Sequence, residues 1–170
     1  MPGYMIHLAV GKIYEKNNKI EDIESFEKGL IAPDLTDDKT KTHYGPGSSS
    51  PGLSKYIKEN GVLNSYDEGY FLHLLTDYLF YHKYFENWNY KIFTGIYKDY
   101  DILNDSIKEK YKITIPKEVE GVAKPGKGKL KYLEEEKTYR FIEAVGKINI
   151  RQMLKEKGID YEKKLARIRV

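Results

Sequence analysis

In the stretch GYFLHLLTDYLFYH, Gly69 to His82, an imidazole and a carboxylate stand one helical turn apart inside an otherwise apolar run. A helix advances about 100° per residue, so His73 and Asp77 share a face with Tyr70, Phe80 and Tyr84. Burying such groups unpartnered costs roughly 2–7 kcal/mol each when neutral, and more for a bare carboxylate. A mutual hydrogen bond, a water or a cation must therefore compensate. Taken alone, the pair reads as a buried hydrogen-bonded couple.

The chain has four histidines, and the other three differ in context. His7 lies in the first predicted helix beside Val10, Gly11 and Tyr14, where the small Gly11 admits a close neighbour. His43 sits in KTHYGPG, near the end of a polar segment that Asp34 opens just after Pro33. Singly, these are a core histidine, a loop histidine and a turn or cap aspartate. Together, His7, Asp34, His43, His73 and Asp77 supply the nitrogen and oxygen donors that borderline divalent cations take, enough for one or two coordination shells. The chain has no cysteine, so no thiolate competes. Zinc is the expected ion, and iron, manganese and nickel accept the same donors. His82 stands nine residues beyond His73 and points to the other side of an ideal helix, which makes it a packing or surface residue.

These residues need a scaffold, and the pattern predicts helices nearly throughout. Helices are expected over about 4–16, 21–30, 53–59, 67–87, 98–111, 130–145 and 150–157. Between the second and third lies APDLTDDKTKTHYGPGSSSPG, read as one long irregular segment. AKPGKGK (Ala123 to Lys129) reads as a solvated basic loop, and YKITIP as a short extended piece ending at Pro116. The expected fold is all-α: one compact domain over residues 1–170 around a central buried helix, with the metal site built from its first half.

Composition narrows the partners. The 29 basic and 26 acidic residues leave only +3, too small and dispersed an excess for nucleic acid. No run approaches the roughly 18 apolar residues of a membrane span, the start carries no signal-peptide pattern, and cysteine is absent. A cytoplasmic protein is the expectation. No segment reads as an exposed apolar helix face, so a soluble substrate is expected over a bilayer phospholipid.

An early histidine on the first helix, a Pro-Asp leading through a loop to a His-aromatic pair, and a central His-x-x-x-Asp resemble the all-helical zinc-dependent phospholipase C family, related to the S1/P1 nucleases. The matching residues are His7, Asp34 in IAPD, His43 in THYG, and His73 and Asp77 in HLLTD. The resemblance implies a zinc held by His43, His73, Asp77 and Asp34, and a neighbouring zinc reached by His7 and shared through Asp77. It also implies that Asp34 acts as ligand or as the base that activates water. No histidine follows His82, so the family's later His-x-x-x-Glu is missing and the site is a reduced version. The expected activity is a zinc-dependent hydrolase acting on a small phosphate ester. Two rivals differ in class. One is a non-catalytic helical binding or structural module stapled by a metal; the other is an HD-type phosphohydrolase, whose adjacent His-Asp dipeptide does not occur here.

Overall fold

The computed structural model describes residues 3–122, 124–156 and 160–170. Among them all regular structure is helical: α1 (Tyr4–Asn17), α2 (Ile23–Ile31), α3 (Lys39–His43), α4 (Leu53–Glu59), α5 (Ser65–Leu79), α6 (Tyr90–Tyr111), α7 (Glu135–Gly146), α8 (Ile150–Met153) and α9 (Tyr161–Leu165). The helices enclose one continuous core in a single compact domain. None is long and apolar enough to cross a membrane.

Local chemistry sets the helix starts. Asp22 accepts from the Ser25 amide at 3.0 Å to cap α2, Asn64 from Asp67 at 2.9 Å to cap α5, and Asn89 from Ile92 at 3.1 Å to cap α6. Each such cap is worth about 1 kcal/mol. On α1 every residue from Tyr4 to Gly11 is buried, as expected of a helix enclosed on all sides. α5 is similarly interior, and α1, α2 and α5 pack against one another beneath α6 and α7.

The closest approach is between α2 and α5. A Cβ on Gly69 would overlap the Phe26 carbonyl, and one on Gly29 would overlap the Tyr66 carbonyl, so only glycine lets the two backbones meet. Gly11 makes room in the same way for the Leu30 side chain, as its position beside His7 suggested.

Several boundaries differ from the sequence expectation. The central helix does not run unbroken to 87: after Leu79 the ladder widens into a π turn over Phe80–Tyr84, with the Phe85 amide bonding back to the Phe80 carbonyl. The long polar segment contains a 3-10 turn at Ala32–Asp34 and α3. Asp38 starts α3 by accepting from the Thr40 amide at 3.1 Å. α6 begins at Tyr90 because Asn89 caps it there; α7 begins at Glu135, α8 ends at Met153, and α9 is an addition. Lys157, expected at the end of a helix, and Ala123, at the start of the basic loop, lie outside the described residues. One premise is corrected. α6 carries an outward aromatic stripe, with Tyr90 79 %, Phe93 43 % and Tyr97 46 % exposed, so an apolar helix face is open to solvent after all.

Candidate metal centre

The five candidate residues come from four separate elements. His7 is on α1, Asp34 closes the 3-10 turn after α2, His43 is the last residue of α3, and His73 and Asp77 are on α5. The Thr42 hydroxyl donates to the Pro33 carbonyl at 2.8 Å, pinning α3 to the Asp34 turn. Directly after His43 the chain reverses: Tyr44 adopts a left-handed φ of 58°, and the Gly52 amide donates to the His43 carbonyl at 2.8 Å. The Tyr70 hydroxyl on α5 donates to the Thr42 carbonyl at 2.6 Å, which holds α3 over the central helix.

The structure brings all five together. Asp77 faces two ways, with Oδ1 3.0 Å from His7 Nε2 and Oδ2 3.0 Å from His43 Nε2 and 3.3 Å from His73 Nε2. Asp34 lies opposite, its Oδ1 3.5 Å from His43 Nε2 and its Oδ2 3.5 Å from His73 Nε2. His7 and His73 stack with centroids 3.7 Å apart. Two overlapping sets, His7 with His73 and Asp77, and Asp34 with His43 and His73, each hold their donor atoms within 4.8 Å of one another. His73 thus stands in both sets, between the two halves.

These contacts are close without being hydrogen bonds. Among the described residues, the four carboxylate oxygens and the Nε2 atoms of the three histidines are buried without an aligned hydrogen-bond donor or acceptor, and only Asp34 Oδ1 has a charged neighbour from outside the five, the Lys39 ammonium. The donors face a common space rather than one another. Two ligands bound about 2.0–2.1 Å from a tetrahedral ion lie about 3.3–3.4 Å apart, which the observed separations of 3.0–3.5 Å bracket. The Nδ1 atoms of His73 and His43 support that orientation, while His7 Nδ1 is buried without a hydrogen-bond partner among the described residues. His73 Nδ1 is 2.7 Å from the Leu30 carbonyl, which can only accept, so Nδ1 carries a proton. His43 Nδ1 is 3.0 Å from Thr42 Oγ1, whose own proton is spent on Pro33. In the neutral rings both Nε2 lone pairs then face the centre, the arrangement a ligating histidine needs. The Leu30 carbonyl is within reach only because Gly29 and Gly69 let α2 and α5 touch.

Without a cation the centre is electrostatically polarised. Burial pushes His7 down to about 4, with His73 adding to the effect. For His73 burial is outweighed by Asp34 and Asp77, which raise it to about 10. Burial also pushes both aspartates upward, but His73 overrides it, holding Asp34 at about 2 and Asp77 well below the usual carboxylate range. The protein itself thus keeps both carboxylates ionised.

His82 takes no part: it is exposed, stacked on Tyr78 with centroids 4.2 Å apart, and bonded through Nδ1 to the Tyr78 carbonyl at 2.8 Å. One neighbour of the centre went unforeseen. Lys39 Nζ lies 3.1 Å from Asp34 Oδ1, and Lys39 lines a cavity of about 330 Å³ with the Gly47–Ser49 turn, Tyr81, Trp88, Phe93 and Tyr97. Its spacing from His43, four residues, becomes meaningful only once α3 is known to be helical. Comparison of the chain with family models, curated proteins and solved structures finds no match.

Proposed function

We propose that this protein is a metal-dependent hydrolase acting on a phosphate ester, with zinc as its ion. The observation that carries the reading is the convergence of seven buried donor atoms at the mutual spacing of a coordination shell, six of them with no partner outside the five residues among the described ones and the seventh, Asp34 Oδ1, beside the Lys39 ammonium. His43, His73 and Asp77 would form the central ligands, and His7 would hold a second ion through the shared Asp77 carboxylate. Asp34 completes the shell or serves as general base toward the attacking water. A divalent ion in this shell supplies a Lewis acid for the phosphoryl oxygen and lowers the pKa of a bound water toward neutrality. The resemblance of these five residues to the zinc-dependent phospholipase C family supports the same assignment.

A second reading has its own observation. Every one of these donor atoms is sealed from solvent, as expected if the ion only staples the helices of a non-catalytic module. Element analysis of protein purified without chelator or metal-affinity resin, followed by turnover of a chromogenic phosphodiester, separates the two. Hydrolysis should vanish on chelation and return with zinc. Metal-replete protein inert toward phosphate mono- and diesters would leave the structural staple, and less than about one ion per chain, unrestored by zinc, would remove both.

A further inference from the structure

The cavity beside the centre has two chemically distinct walls. One carries Lys39, whose ammonium touches Asp34, together with Ser48 and Ser49. The other is aromatic and continuous: Trp88 meets Phe93 edge to face at 6.4 Å, and Phe93 meets Tyr97 in the same manner at 6.0 Å. Tyr81, which packs against Trp88 at 4.5 Å, belongs to this wall, and its buried hydroxyl has no hydrogen-bond partner among the described residues. At about 330 Å³ the space is at the small end of ligand pockets, room for a compact molecule and not for a polymer.

We infer that this cavity takes a small phosphate ester whose organic group is a flat aromatic ring, the phosphate set against Lys39 and the serine hydroxyls and the ring against Trp88, Phe93 and Tyr97. The substrate class rests on the hydrolase reading above; the binding does not. An ammonium on a half-buried wall is a point charge suited to a phosphate oxygen, and the two serines add neutral donors. Ring faces and edges accept another ring at centroid separations of about 4.5–7 Å, an attraction that an alkyl group of similar size does not gain. The unsatisfied Tyr81 hydroxyl offers a further donor on the same wall. The lining therefore selects against esters of glycerol, which bring hydroxyls to an aromatic surface.

Trp88 is the chain's single tryptophan, so its fluorescence reports on this cavity directly. The test titrates the purified, zinc-supplemented protein with phenylphosphonate and with methylphosphonate, neither of which can be hydrolysed. Phenylphosphonate should shift Trp88 emission with an affinity at least tenfold above that of methylphosphonate. Lys39→Gln should weaken both at least fivefold, and Phe93→Ala, at an exposed position, should weaken only the phenyl compound. Equal affinity for the two phosphonates, or no emission change in protein shown by circular dichroism to be folded, overturns the assignment. So does co-sedimentation with phosphatidylcholine vesicles, which would give the aromatic wall to a bilayer. The two readings fail separately. Selective phenylphosphonate binding by a protein that hydrolyses no phosphate ester sinks the hydrolase and keeps the cavity. Hydrolysis of alkyl and aryl phosphates at equal rates, with Trp88 silent, does the reverse.

Discussion

Asp99 and Asp77 are both buried carboxylates on long helices, and the fold treats them in opposite ways. Asp99 on α6 accepts from three successive backbone amides: Lys131 at 3.1 and 3.0 Å to its two oxygens, Tyr132 at 2.6 Å and Leu133 at 2.8 Å. It anchors the segment leading into α7, and its charge is met by the chain itself. Asp77 on α5 has imidazole nitrogens at 3.0–3.3 Å and, among the described residues, not one aligned donor. Glu68, a turn before His73, is handled like Asp99, accepting from Tyr14 Oη at 2.7 Å and from Arg151 Nε at 3.0 Å. Burial of an acid is thus not what sets the centre apart. The distinction lies in donors that are gathered and left unsatisfied, which is costly for a structural carboxylate and useful for one that receives a cation.

Substitutions at the two carboxylates give the largest expected effect. Asp77→Ala should lower zinc affinity at least a thousandfold, about 4 kcal/mol, while Asp99→Ala leaves the zinc content of folded protein unchanged, both read by element analysis after gel filtration. If Asp77→Ala kept its ion, the contrast between the two sites would collapse. The reverse asymmetry comes next. Asp99→Ala strands three backbone amides, that of Leu133 buried, and should cost on the order of 3 kcal/mol of stability in urea unfolding, measured with the metal removed from both proteins.

Acid and base probe the centre further. In metal-free protein, His7 has a folded pKa of about 4, below its unfolded value, so the unfolded chain takes the proton first and stability falls as pH drops from about 6.5 toward 4. His73 has the opposite sign: raised to about 10, its contribution is complete below about 6.5 and is lost as pH climbs toward 10. Asp34, held at about 2, contributes above about 3.9 and loses that contribution between there and 2. Thermal melts of chelated protein should therefore peak near pH 6.5. Zinc must displace the His73 proton, so its affinity should rise about tenfold, or about 1.4 kcal/mol, per pH unit up to about 10. A zinc affinity independent of pH from 6 to 9 would mean that His73 is not a ligand.

Smaller effects probe what orients the donors. Thr42→Val removes the hydroxyl beside His43 Nδ1 and should weaken zinc about tenfold with little change in fold, since the Lys39 carbonyl at 3.2 Å keeps part of that support. His82→Ala should change zinc affinity less than about twofold, the contact with Tyr78 being an exposed one. Equal losses from His82→Ala and Thr42→Val would reopen the assignment of His82 to the surface.

The amino-acid order alone carried the helical class, from apolar residues at helical spacing and from the turn signals between them, and it placed His73 and Asp77 on one face because four residues make about one turn. It also marked His7, Asp34 and His43 as donors by type. What it left open were features settled by partners distant in the chain. Gly29 and Gly69 look like ordinary helix-weakening glycines until α2 and α5 are crossed, and their contact is what sets the Leu30 carbonyl against His73. The π turn at Phe80–Tyr84 carries Tyr81 into the buried wall while His82 stays exposed, a half-turn accommodation no local pattern announces. Nor does the sequence show what meets the two acids: the amides of Lys131, Tyr132 and Leu133 reach Asp99 from a distant segment, and His7 and His43 reach Asp77 from other helices. Helices are written in contacts between neighbours three and four apart, whereas a site drawn from four elements exists only in the angles at which those helices pack.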